Sequence, residues 1–79
     1  MRIEVRLFAT LAAFLPPDSR DGSAVLDVPA ESTVADVGRR LGIPVDLSMV
    51  SLVNGMDVDA MRRLAAHDVI ELFPPLAGG

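Results

Sequence analysis

The stretch from Thr33 to Pro44 specifies both ends of one helix, and this constrains the rest of the 79-residue chain more than any other feature. Thr33 or Ser32 supplies a hydroxyl that can accept from the first-turn amides, and Asp36 lies near the positive end of the helix dipole. Val34, Val37 and Leu41 form a single apolar stripe. Arg39 and Arg40 suit the negative end, Gly42 fits the left-handed stop position and Pro44 prevents continuation. The spacing therefore predicts a helix over Thr33–Leu41 with one narrow apolar face. Thr10 to Leu15 is compatible with a short helix or turn ended by Pro16-Pro17, and Asp59 to Ala66 fits either helix or irregular loop. One short helix cannot enclose a core, so strands must supply the wider surface that covers its stripe.

Strand patterns occur on both sides of the helix. Arg2 to Ala9 alternates, with Ile3, Val5, Leu7 and Ala9 on one face and Arg2, Glu4, Arg6 and Phe8 on the other. Phe8 interrupts the otherwise polar face. Ala24 to Val28 predicts a second strand, with Leu26 and Val28 inward, Asp27 outward and Pro29 closing it. Met49 to Val53 has the look of a buried strand, and Asn54-Gly55 favours a type I′ turn that returns the chain along Met56–Val58. The last strand, Val69 to Phe73, places Ile70 and Leu72 on one face and Val69, Glu71 and Phe73 on the other, and Pro74 stops it. This order predicts an α+β fold, a mixed sheet of four to five strands packed on one main helix: the ubiquitin-like β-grasp. In that architecture the first and last strands are neighbours at the centre of the sheet, which puts Phe8 and Phe73 on the face away from the helix. Residues 1–73 are then the domain, and 74–79 an extended tail.

Composition narrows the classes of function. Apolar residues make up 51% of a chain whose size lets it bury only about 60% of its unfolded surface, so apolar surface should remain available to a partner. Without cysteine there is no disulfide or thiolate nucleophile, and the lone His67 cannot complete a metal site; it reads as a turn residue. Eleven acidic residues against seven basic ones, net charge −4, argue against nucleic acid and favour a basic protein surface. Arg62-Arg63, Asp57 and Asp59 read as solvated surface residues. All seven bases are arginine, so the N-terminal amine alone is left to accept an isopeptide-type bond. The start lacks a signal-peptide pattern and Ala9–Leu15 is too short to span a bilayer, so a cytoplasmic protein without membrane contact is expected. With neither a phosphate-binding glycine loop nor a nucleophile–base pair, autonomous catalysis is not expected.

The most specific feature is the end of the sequence, Phe73-Pro74-Pro75-Leu76-Ala77-Gly78-Gly79, preceded by Val53-Asn54, Leu64 and Asp68. On these residues the chain resembles the ubiquitin-like sulfur carriers, and among them the small subunits of molybdopterin synthase more than the thiamin-pathway carriers, which usually lack the double proline. The resemblance implies that the Gly79 carboxylate is adenylated by an E1-like activating enzyme that uses ATP, then converted to a thiocarboxylate with sulfur from a donor protein. It also implies delivery of that sulfur to the large subunit of molybdopterin synthase, which holds the catalytic residues and builds the pterin dithiolene for molybdenum or tungsten. No cofactor would be bound by the carrier itself. Sulfur delivery for thiamin and a role as a ubiquitin-like protein modifier are the alternatives.

Physical reasons accompany the resemblance. A terminal carboxylate is ionised near neutrality and resists nucleophiles, so activation must precede sulfur transfer. Gly78 and Gly79 have no Cβ, so they let the backbone enter a channel closed to side chains. Pro74 and Pro75 stiffen the base of the tail and Leu76 follows them, while Phe8 and Phe73 are candidates for docking the body against a partner. The turn before the last strand departs from the usual Asp-Gly-Asp-Glu-Val of such carriers and reads Ala66-His67-Asp68-Val69-Ile70. Histidine tolerates positive φ better than most residues, which allows the turn to form.

Overall fold

Residues 1–44 and 50–75 are described by the computed structural model of the protein. Thr33 is the N-cap of helix α1 (Val34–Leu41): its hydroxyl accepts from the Asp36 amide at 3.2 Å, and the Asp36 carboxylate accepts from the Thr33 amide at 2.9 Å. This reciprocal box satisfies two amides that the first turn leaves unpaired. Gly42 closes the helix with φ of 85°, the left-handed conformation that the sequence requires of it. Backbone donation from Thr33 and donation from Arg39 hold the Asp36 carboxyl below its ordinary value.

The strands are β1 (Arg2–Leu7), β2 (Ser23–Asp27), β3 (Val50–Val53), β4 (Met56–Val58) and β5 (Val69–Phe73), arranged in the order β2-β1-β5-β3-β4. β5 is central, parallel to β1 and antiparallel to β3. In register, Val5 pairs with Ile70, Leu7 with Leu72, and Ile70 in turn with Val53. These rows form the inner face, and Val34 and Val37 of α1 join the same buried cluster. Parallel pairing of the first and last strands needs a crossover, and the intervening elements supply it. The structure is therefore the β-grasp predicted, with all five strands present. Among the described residues no helix is long and apolar enough to cross a membrane.

Two stretches differ from, or complete, the sequence reading. The alternation through Ala9 predicts a longer first strand, but β1 ends at Leu7 and Ala9 is exposed at φ 52°. The sheet has no further inward row there, because β2 begins opposite Arg6 and the β5 pairing ends at Leu72. A 3-10 helix over Ala9–Phe14 instead folds Leu11, 1% exposed, over this end of the core. The ambiguous stretch 59–66 is irregular for a clear reason. The carbonyls of Ala60 and Arg62 accept from the amides of Ala35 and Val34, at 2.9 and 3.1 Å, and so satisfy the first turn of α1. In a helix those carbonyls would be committed to their own chain.

A polar clamp joins the β3–β4 turn to the start of β5. Asn54 and Gly55 both have positive φ, 52° and 83°, as a type I′ turn requires. The Asn54 side chain donates to the buried Asp68 carboxylate at 3.0 Å and accepts from the Val69 amide at 2.9 Å, and the Ala65 amide donates to the second carboxylate oxygen of Asp68 at 2.8 Å. His67 takes φ 70°, the conformation anticipated for a histidine standing where glycine is usual.

Two outcomes are expected. Asn54→Ala leaves one oxygen of buried Asp68 without its side-chain donor, so urea unfolding should show a loss of about 1–3 kcal/mol. Asp36, with its folded value lowered, stabilises the fold above the unfolded carboxylate value near pH 4, and that contribution disappears as pH falls through the folded value. Melting temperature followed from pH 6 down to pH 2 should therefore decline less steeply for Asp36→Asn than for the wild type.

Candidate docking pole and C-terminal tail

Parallel pairing sends β1 and β5 out of the sheet at the same end. Phe8 follows the last residue of β1 and Phe73 is the last residue of β5, and their rings stack with centroids 4.3 Å apart and planes 9° from parallel. The Phe8 amide donates to the Leu72 carbonyl at 3.2 Å, which fixes the ring's position over the neighbouring strand. Both rings are half-buried, on the sheet face away from α1, as the strand alternation predicts. Val50 pairs in register with Phe73 and is 45% exposed, and half-buried Leu52 follows two residues on.

Val50 is a residue that the sequence reading did not single out, since Met49–Val53 looked uniformly buried. Only its register opposite Phe73 places it beside the stack. Together Phe8, Phe73, Val50 and Leu52 make an apolar end to a face that also carries Arg2, Glu4, Arg6 and Glu71 and the exposed Val25. Farther along, Arg6 is bonded to Glu4 at 2.8 Å, and this contact raises the guanidinium above its ordinary value. An open groove of about 390 Å³, lined in part by Arg6, Phe8, Ala9 and Asp21, runs beside the stack.

The tail leaves from this same pole. Pro74 is half-buried and Pro75 exposed, and neither belongs to a strand. Leu76, Gly78 and Gly79 lie outside the described residues. Of the predicted site residues the structure thus brings together Phe8, Phe73 and the base of the tail at Pro74-Pro75. His67, Arg62 and Arg63 are exposed, away from any cluster of ligating groups: among the described residues no three His, Cys, Asp or Glu side chains gather as a metal site would require.

The chain matches the family model described as Mut7-C ubiquitin across residues 1–77. The chain belongs to the Mut7-C ubiquitin family. No curated protein sequence matches it. Solved structures similar to this Mut7-C ubiquitin chain include the Haloferax volcanii HVO 2177 protein, 30% identical over 100% of this chain and 87% of that one, with a TM-score of 0.79. SAMP1 from Haloferax volcanii is 29% identical with both chains fully covered and a TM-score of 0.72. A chain in the complex of subunits 1 and 2 of the molybdopterin-converting factor from Helicobacter pylori, 22% identical with both chains fully covered and a TM-score of 0.62, shares the fold.

Both rings of the aromatic stack in this Mut7-C ubiquitin chain are half-buried, and the energetics of the stack should show it. Phe8→Ala and Phe73→Ala should each cost about 1–2 kcal/mol in denaturant unfolding, below the 3–5 kcal/mol typical of a fully buried phenylalanine. The double mutant should reveal a coupling of about 0.5–1.5 kcal/mol. Losses of the core magnitude would place both rings in the interior.

Proposed function

We propose that this ubiquitin-like protein is a carrier whose chemistry resides in the carboxylate of Gly79, activated and discharged by partner enzymes. The observation that carries the reading is the slim sequence Pro74-Pro75-Leu76-Ala77-Gly78-Gly79 following directly on β5, at the pole where Phe8 and Phe73 stack. Residues 1–73 serve as the docking body and 74–79 as the delivery arm. Six residues at about 3.3 Å each reach roughly 20 Å, enough to enter an active site while the body stays outside.

In the proposed sequence the Gly79 carboxylate attacks the α-phosphorus of ATP on an activating enzyme and pyrophosphate leaves. Hydrosulfide, released at the sulfide level by a donor protein, then attacks the acyl carbon; the C–S bond forms as the C–O bond to AMP breaks with its electron pair, and the S–H proton passes to solvent, giving the thiocarboxylate. A terminal carboxylate needs this activation because its ionised form is a poor electrophile. The likeness to a chain of a molybdopterin-converting factor supports a pterin-dithiolene synthase as recipient, with the catalytic residues on the large subunit. Such a route runs in the cytoplasm, and the acidic balance of the chain suits a basic partner surface.

The likeness to SAMP1, the small archaeal modifier protein 1, over the full length of both chains favours a second reading, in which the same activated Gly79 is joined to amines of target proteins. The two differ in the acceptor and not in the activation. Mass spectrometry of extracts separates them: the free chain carrying sulfur in place of one oxygen supports the carrier, and Gly-Gly remnants on target lysines support the modifier. Neither species, with the intact protein ending in an unreactive Gly79, sinks both.

Three variants test the arm. Deleting Gly78-Gly79 should abolish thiocarboxylation while leaving the thermal melt unchanged. Gly79→Ala keeps the carboxylate but adds a Cβ beside the reacting carbon, and one residue added after Gly79 shifts the carboxylate by about 3.3 Å. Single-turnover transfer from prepared thiocarboxylate should fall by about tenfold or more in both, since misplacement of about 1 Å already has large effects. Phe73→Ala should weaken binding to the synthase by about 2 kcal/mol, roughly thirtyfold. Normal transfer by both tail variants would exclude a narrow channel.

A further inference from the structure

Glu71 stands at the centre of the sheet face turned away from α1. β5 is the middle strand of five, and Glu71 is the middle residue of β5. In register its neighbours are Arg6 on β1 and Leu52 on β3, each about 4.8 Å across the sheet. Val69 and Phe73 share its face along the strand, one on either side. The residue is half-buried, and taking part of a carboxylate out of water costs free energy unless a cation or other donors offset it. The fold turns the adjacent cation elsewhere. Arg6 lies opposite Glu71, but its Nε donates to Glu4 at 2.8 Å. Glu71 contributes less than Glu4 to raising the Arg6 guanidinium, in keeping with that division. The other ion pairs among the described residues join Arg2 to Asp27, Arg39 to Asp36 and Arg63 to Glu31, so Glu71 belongs to none. Residues 45–49 and 76–79 contain no arginine, lysine or histidine and cannot supply one.

We propose that Glu71 receives an arginine side chain of the protein that docks on this face. The inference rests on the docking role given above to Phe8 and Phe73, and it names the group that the partner brings. The chemistry selects arginine. A carboxylate accepts two parallel N–H bonds from a planar guanidinium, whereas an ammonium is a point charge. The methylene stem behind the guanidinium is apolar and suits Leu52, Val50 and Phe73, which adjoin Glu71 on the β3 side. A charged pair near the middle of a docking face, ringed by apolar groups that exclude water, is where one residue carries much of the binding energy. Other carboxylates on the face lack that setting. Glu4 is committed to Arg6, Asp27 is exposed beside Arg2 on the outer strand β2, and Asp57 is exposed on the outer strand β4. The partner surface is therefore an apolar patch with an arginine at its middle.

The test follows backbone amide shifts of the isotope-labelled protein as a defined probe is added, the peptide acetyl-Leu-Leu-Arg-Leu-Leu-amide. Two further peptides carry lysine or citrulline in place of the arginine; citrulline keeps the shape and removes the charge. Shifts should centre on Arg6, Leu52, Glu71 and Phe73, and affinity should fall about threefold with lysine and about fivefold or more with citrulline. Glu71→Gln should weaken the arginine peptide by about fivefold at an unchanged melting temperature, and Glu4→Gln by less than about twofold. Equal binding of the arginine and citrulline peptides would overturn the proposal, as would equal losses in Glu4→Gln and Glu71→Gln or shifts centred on β2 or β4. Equal binding of the lysine peptide would overturn the choice of arginine. None of these readouts involves Gly79. Failure of enzymatic thiocarboxylation would sink the carrier reading and leave the peptide result standing, and a charge-blind face would sink this inference and leave the carrier reading intact.

Discussion

The parallel pairing of β1 with β5 is the constraint on which the rest of the structure depends. It joins the two ends of the chain at the centre of the sheet, so Val5–Ile70 and Leu7–Leu72 form the buried rows against which α1 packs. The same pairing brings Phe8 and Phe73 to one pole and sends Met1 to the other. A non-local pairing of this kind closes a loop that spans most of the chain, and the entropy lost in closing it is recovered only as the apolar rows form. The geometry of the tail's base is therefore a property of the finished core and not of a local turn.

Around that centre, polar contacts hold the connecting segments. The first turn of α1 is satisfied from two directions, by the Thr33–Asp36 box and by carbonyls of the irregular 59–64 stretch. Asn54 and Asp68 tie the β3–β4 turn to the entry of β5, which fixes where that strand starts. Few of these groups are exposed chemistry; they spend their hydrogen-bonding capacity on backbone amides that burial would otherwise leave unpaired. Among the described residues, the apolar pole and the groove beside it remain open at the end of the sheet where Pro74 and Pro75 begin the tail.

In the proposed function such a division would separate recognition from reaction. The body presents Phe8, Phe73 and Val50 as fixed apolar groups, while a narrow arm beyond Pro74-Pro75 would present a single carboxylate. A rigid body and a stiffened arm reduce the ordering entropy lost on docking. In the proposed carrier, a sequence without lysine or cysteine would offer few side chains that could consume an activated acyl group.

Much of the architecture was legible in the residues themselves. The helix was, because Thr33, Asp36, Gly42 and Pro44 act within one or two turns, where capping is decided locally; so were the β3–β4 turn at Asn54-Gly55 and the inward sets of β1 and β5, because alternation is a local period. The reading failed or stopped where distant partners decide. Ala9 continued the apolar alternation, yet the strand ends at Leu7 because the neighbouring strands offer no further pairing. Val50 looked buried, yet its register with Phe73 puts it on the open face. The Asn54–Asp68 clamp and the carbonyls of Ala60 and Arg62 join segments whose relation no local pattern records. By itself the sequence determined the identity of the elements, the terminal diglycine and the absence of lysine and cysteine side chains, since these are matters of residue type and near-neighbour spacing. The tertiary structure alone decided that Phe8 and Phe73 stack at the arm's base and that Met1 is held at the opposite pole, because both follow from the direction in which two strands far apart in the chain pair.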